Sequence, residues 1–237
     1  MEKLKKLIYK DTLLYTFKEE NFDILKQVID DEYTVCNIYK NDKRTFVAKV
    51  TIEGKTYILK RFFNRKFLKY VTSFFMQGES LKTLINISSF RNKGLKELVA
   101  CIGNVEKRKK GFLEEEILIM EFCSGRRPSS QEDYIEVING LKKIYKFNRY
   151  HGDCNPGNFL IDDKNQVQII DTKLKKMAFG DYRKHFDLLV LKKYLPSSFP
   201  YPCKKNVFYY IAYFVRLLRE FKNKRLRKIW KRWRNNG

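Results

Sequence analysis

The chain has 237 residues, with 50 Lys and Arg against 27 Asp and Glu, a formal net charge of +23. Hydrophobic residues make up 43% and aromatics 15%, too much apolar material for a disordered chain, while 11 Gly and 5 Pro exclude collagen-like and linker-dominated architectures. Apolar runs fall short of the roughly 20 residues of a membrane span, and the basic N-terminus does not read as a secretory signal. Five scattered cysteines and two histidines argue for reduced thiols and against a structural zinc site.

Within residues 1–30, Ile24, Leu25, Val28 and Ile29 suggest a short helix. Tyr33–Tyr39, Arg44–Ile52 and Thr56–Phe63 are rich in β-branched and aromatic residues. Turn residues at Asn41-Asp42 and Glu53-Gly54-Lys55 separate them, which predicts an antiparallel three-strand meander. Lys66–Arg91 is helical in pattern, from Phe67, Leu68, Val71, Phe74 and Phe75 to Leu81, Leu84 and Ile85, with Gly78 as a break. Two strands follow, Leu98–Val105 and Phe112–Phe122, joined by a basic turn over Glu106–Gly111. Cys123–Arg127 is a connector, and Ser129 or Ser130 caps a helix that runs to about Phe147. A polar loop, His151–Asn158, precedes strands Phe159–Ile161 and Val167–Ile170, and the chain is helical from about Arg183 except at Leu195–Pro202.

The order is thus a small sheet-rich half, one connector and a helical half. The fold class is α+β, with a small antiparallel-sheet lobe over 1–122, a connector at 123–127 and a reduced helical lobe over 128–237, all in one domain. That is the layout of protein-kinase-like folds.

The sharpest motif is His151-Gly152-Asp153-Cys154-Asn155-Pro156-Gly157-Asn158, then Val167-Gln168-Ile169-Ile170-Asp171. Phosphoryl transfer needs a carboxylate to position the attacking hydroxyl and hard oxygens to hold Mg²⁺ at the phosphates. Asp153 would orient the acceptor hydroxyl and take its proton, Asn158 would bind metal, and Asp171, after an apolar strand, would chelate the main Mg²⁺. The bland alternative is a polar turn, since Gly, Asn, Asp and Pro are ordinary turn residues. The flanking His-Gly, the Phe-Leu-Ile that follows and the strand-end aspartate favour chemistry.

H-G-D-x-x-x-x-N-F-L-I followed by I-I-D resembles the catalytic segment of kinase-like small-molecule phosphotransferases. Among these it looks most like the bacterial lipopolysaccharide core heptose kinases. The resemblance covers about Tyr33 to Asp187 and is specific from His151 to Asp171. It implies ATP and Mg²⁺ as cofactors and a lysine on the third strand of the meander at the phosphates. Lys60 is placed for this, whereas Lys49, in Phe46-Val47-Ala48-Lys49, lies on the second strand. Glu79 is the expected helix partner of Lys60, and Glu121-Phe122-Cys123 the segment whose backbone meets adenine. Asp187, in Arg183-Lys184-His185-Phe186-Asp187, is placed either to brace the catalytic loop or to sit exposed on a helix.

The sequence departs from regulated protein kinases. No G-x-G-x-x-G lies between the first two strands, where Lys40, Lys43 or Arg44 would contact phosphate instead. Thr172-Lys173 follows the metal aspartate, and the loop has H-G-D where those kinases have H-R-D.

A +23 charge calls for a polyanionic partner, and composition alone leaves nucleic acid, anionic membrane and phosphorylated substrate open. The tail from Val207 turns basic, with Leu226, Ile229, Trp230 and Trp233 interleaved. Tryptophan with Lys and Arg on one helix suits the surface of an anionic membrane, and a lipid-linked anionic saccharide would be met there. A core helix with a solvated end and a nucleic-acid patch are the rivals, nucleic acid the less favoured. The expected place of work is cytoplasmic, at the inner face of the inner membrane. Rival functions are a RIO-like protein kinase, an antibiotic phosphotransferase, or, outside enzymes, a pseudokinase or nucleic-acid-binding module.

Overall fold

A computed structural model describes residues 3–63, 74 and 76–235, with side chains as far as Lys222. Two compact units divide the chain, Met1–Ser124 and Gly125–Gly237.

The first unit opens with a hairpin that the sequence reading does not contain, β1 (Lys5–Tyr9) and β2 (Thr12–Thr16), closed by Lys10 and Asp11 at positive φ. The expected short helix follows as α1 (Asn21–Ile29). The meander is formed by β3 (Thr34–Asn41), β4 (Thr45–Ile52) and β5 (Lys55–Phe63). After it come α2 (Glu79–Asn92), β6 (Cys101–Lys109) and β7 (Phe112–Glu121). The part of the expected Lys66–Arg91 helix that rests on Phe67, Leu68, Val71 and Phe75 lies outside the described residues. One seven-stranded antiparallel sheet results, in the order β1-β2-β6-β7-β5-β4-β3.

Strand alternation divides this sheet into two unlike faces. On one, Leu14, Val105, Ile117, Ile119, Leu59, Ala48 and Val50 pack with Leu25 and Val28 of α1, all fully buried. Gly103 is required here, since a Cβ would lie 2.7 Å from the Leu25 side chain and 2.9 Å from the Tyr15 carbonyl. The opposite face carries Lys60, Leu118, Asn104, Glu106 and Glu116 and receives the start of α2.

One expectation is corrected here. Glu106 belongs to no turn: it lies inside β6, 1% exposed, and the reversal is only Lys110-Gly111, both at positive φ. The charge is tolerated because Arg108 pairs with it at 2.8 Å.

The second unit begins with α3 (Gln131–Lys146). Ser130 and Asp133 form a reciprocal capping box at its start, and Arg126 forks onto the Asp133 carboxylate. Then come β8 (Arg149–Tyr150), a 3₁₀ turn at Pro156–Asn158, β9 (Phe159–Ile161), β10 (Val167–Ile169) and β11 (Lys175–Lys176). β9 pairs with β10 and β11 with β8, both antiparallel; the β8–β11 pair has no signature in the sequence, because two-residue strands leave no periodic signal. The chain ends in α4 (Tyr182–Leu191) and the 29-residue α5 (Val207–Asn235), which pack against each other.

Candidate active site

Two short antiparallel pairs hold the His151–Asn158 loop from both sides. β8 leads into it and β9 leaves it, while the segment after β10 returns alongside: Lys173 donates its N–H to the His151 carbonyl (3.2 Å), and Ile170 donates to the Asn158 carbonyl (3.1 Å). Asp171 is therefore tethered one residue away from a direct backbone link to Asn158. The Asn158 amide Nδ2 donates to the Asp153 carbonyl at 2.8 Å, which ties the two ends of the D-x-x-x-x-N motif together. Asn155 caps the 3₁₀ turn by accepting from Gly157 N–H (3.0 Å).

The loop is anchored from below by Asp187 of α4. This carboxylate is 2% exposed, accepts from His151 N–H at 2.8 Å and from Gly152 N–H at 3.2 Å, and is a brace rather than an exposed helical charge. Burial pushes its carboxyl up to about 7, against the pull of those two amides. Gly152 sits at φ +89, a conformation that disfavours a side chain, which suits the loop to H-G-D. His151 is fully buried against Phe159, and its Nδ1 accepts from Asp153 N–H (3.2 Å). Burial pushes its imidazole down to about 4, with the Asp171 charge opposing, so the ring is a neutral prop for the backbone. Asp153 and Asp171 are themselves exposed.

The donor set suits a hard cation. Asn158 spends its NH₂ on the Asp153 carbonyl and keeps its Oδ1 as an acceptor, and Asp171 presents an exposed carboxylate. Among the described residues no three His, Cys, Asp or Glu side chains gather as a metal cage. These two oxygens would suit a Mg²⁺ that takes the rest of its shell from phosphates and water.

The other expected residues lie in the first unit. Lys60 stands on β5 between Val47 and Leu118, on the face that receives α2. Glu79 is the first residue of α2 and is exposed. Glu121 ends β7, followed by half-buried Cys123. Lys60 and Glu121 both act on the Cys101 thiol, which burial pushes up to about 12; Lys60 opposes that rise and Glu121 adds to it. Lys49 shares the face of Lys60, with its ammonium 4.2 Å from the centroid of the Phe122 ring.

Glu116 is absent from the sequence reading. It is 7% exposed and accepts from Ser80 N–H (3.0 Å) and the Ser80 hydroxyl (2.5 Å), with Glu106 accepting from Gly78 N–H at 3.3 Å. These two carboxylates hold the amide end of α2, where negative charge is favoured, and so fix the backbone beside Glu79. Burial pushes the Glu116 carboxyl up. In sequence, Glu114-Glu115-Glu116 looks like solvated strand.

A seven-stranded antiparallel sheet with a helix on the lysine-bearing face, and a braced D-x-x-x-x-N loop with a strand-end aspartate, define a protein of the protein-kinase-like class. Within that class the chain belongs to the WaaY family of lipopolysaccharide core biosynthesis proteins, whose model matches residues 3–229. It is also similar to mitogen-activated protein kinase kinase 10 of Arabidopsis thaliana, 33% identical over 79 residues that make up 33% of this chain and 25% of that protein. A second relative is the serine/threonine-protein kinase dst1 of Dictyostelium discoideum, 28% identical over 80 residues, 28% of this chain and 11% of that protein. The matches thus span a quarter or less of those kinases.

Proposed function

We propose that this chain transfers the γ-phosphate of ATP, with Mg²⁺, to a hydroxyl of a heptose in the lipopolysaccharide inner core. The observation that carries the reading is the Asn158–Asp153 link within the loop braced by Asp187, beside the strand-end Asp171, in a chain of a core-biosynthesis family. Asp153 orients the acceptor hydroxyl and takes its proton as the oxygen bonds to the γ-phosphorus and the γ-phosphorus–oxygen bond to ADP breaks. Asn158, through Oδ1, and Asp171, through its carboxylate, hold the metal. Bound Mg²⁺ neutralises charge on the transferring phosphoryl group. Lys60 holds the phosphates, Glu79 steadies Lys60, and backbone groups of Glu121 and Cys123 take the adenine. The acceptor is a lipid-linked anionic saccharide, which a +23 protein attracts, met at the inner face of the inner membrane with help from the basic C-terminal helix.

The test is incubation of the purified chain with ATP, Mg²⁺ and core oligosaccharide from cells lacking the gene. Mass spectrometry should find one added phosphate on a heptose. Phosphate on added protein, with none on the saccharide, would favour the RIO-like alternative.

A further inference from the structure

α5 has one face turned inward and one turned to water. Inward, Ala212 is 0% exposed, Arg216 Nη1 donates to the Leu189 carbonyl at 2.9 Å, and the Arg219 guanidinium lies 4.6 Å from the Phe186 ring centroid. Phe208 fills the space over Gly180, where a Cβ would come within 2.2 Å of its ring. At about 100° per residue, Ala212 and Arg216 lie roughly opposite Val207. Around Val207, within an arc of about 100°, fall Tyr210, Ile211, Phe214, Leu218 and Phe221. All six are exposed, between 44% for Ile211 and 70% for Phe221. The stripe runs about 21 Å along the helix.

A solvent-facing row of six large apolar residues marks a contact surface. We propose that this stripe is the seat of the protein on an anionic phospholipid bilayer, with its rings and aliphatic side chains in the headgroup–acyl boundary. This rests on the reading of the acceptor as lipid-linked. Charge selects the occupant. Directly after the stripe, Lys222 to Arg234 contains eight Lys and Arg and no Asp or Glu. A second copy would bring the same cations and a further +23, whereas an anionic bilayer offers an apolar boundary and negative headgroups together. No helix among the described residues is long and apolar enough to cross a membrane, so the contact is along the surface. The apolar grip thus lies on residues 207–221, ahead of the tryptophans of the tail.

The experiment is flotation of the full chain, without nucleotide, with vesicles of phosphatidylethanolamine and phosphatidylglycerol and, separately, of phosphatidylcholine. The wild type should bind the anionic vesicles in preference. Phe214→Ser/Leu218→Ser/Phe221→Ser should lower binding by roughly tenfold or more at unchanged net charge. Val207→Ser/Tyr210→Ser, at the other end, should lower it less. Both variants should melt as the wild type does and phosphorylate delipidated oligosaccharide at its rate. Wild-type chain that floats but transfers no phosphate defeats the kinase reading and supports the seat. A triple variant that melts normally and floats like the wild type overturns the seat, as does wild-type chain that ignores anionic vesicles. So does a wild-type dimer in sedimentation that the triple variant dissociates, because the stripe is then an interface between copies.

Discussion

Asp187 and His151 are joined by a 2.8 Å hydrogen bond from the His151 amide to a carboxylate 36 residues later, and the loop that carries Asp153 is built on that bond. The Gly152 amide adds a second, at 3.2 Å. An amide–carboxylate bond is worth about 1.5–3 kcal/mol, enough to decide where a short polar loop sits. Asp187→Asn keeps the shape but loses the charge and one of the two acceptor oxygens that face the His151 and Gly152 amides. It should lower kcat about tenfold or more with a smaller change in KM for ATP. In the wild type the carboxyl is held up at about 7, so the charged acceptor is present above that pH and lost as pH falls through it. The kcat profile should therefore fall below about pH 7, and this limb should be absent in Asp187→Asn. An unmoved limb in the variant would assign it to another group.

His151 gives a stability prediction of defined sign. Its imidazole is held down at about 4, so in the folded chain it stays neutral where the unfolded chain, near 6.5, takes a proton. Its contribution is fully present above about pH 6.5 and is lost as pH falls toward 4, by up to about 3 kcal/mol. Asp187 acts in the opposite sense, with a contribution present near pH 4 and lost as pH rises through 7. Urea unfolding of wild type against His151→Gln isolates the first effect. The stability difference between them should narrow steadily from pH 7 to pH 4.

Asp153→Asn and Asp171→Asn should each lower turnover by roughly 10²-fold or more if, as proposed, Asp153 positions the acceptor hydroxyl and Asp171 holds the metal. Both side chains are exposed, so thermal melting should hardly change. A Mg²⁺ titration separates the roles: Asp171→Asn should need more metal, and Asp153→Asn should not.

Lys60 and Lys49 share one face of the sheet, so only chemistry separates them. Lys60→Met should raise KM for ATP and lower kcat strongly, while Lys49→Met loses a contact with the Phe122 ring and should change either by less than about threefold. The reverse ranking would move the phosphate contact to β4.

Glu116→Ala leaves the Ser80 amide without its buried acceptor, while the Ser80 hydroxyl keeps Asn104 Oδ1 at 2.5 Å. The cost should be about 1–3 kcal/mol of stability. If Glu79 steadies Lys60, KM for ATP should rise as well, and Ser80→Ala, which spares the amide contact, should do less of both.

Much of this molecule was legible in the chain itself. Alternation and turn residues place the meander and β6–β7, because a half-buried antiparallel strand must alternate. Ser129 or Ser130, with Asp133 in the first turn, marks the start of α3, and the structure selects Ser130 through a reciprocal capping box. The loop chemistry is local too, with Asp153, Asn158 and Asp171 inside 19 residues of sequence tied by neighbouring backbone bonds. Tertiary structure decided what depends on distant partners. Lys5–Tyr9 forms a strand only because β2 has β6 to pair with, and its own sequence, KKLIY, is ambiguous. Asp187 could have been a surface charge until His151 and Gly152 turned their amides toward it. Glu106 and Glu116 are buried because the amide end of α2 comes to rest on them. A carboxylate's solvation is set by whatever the fold carries to it, and sequence periodicity records only which side of its own element it occupies.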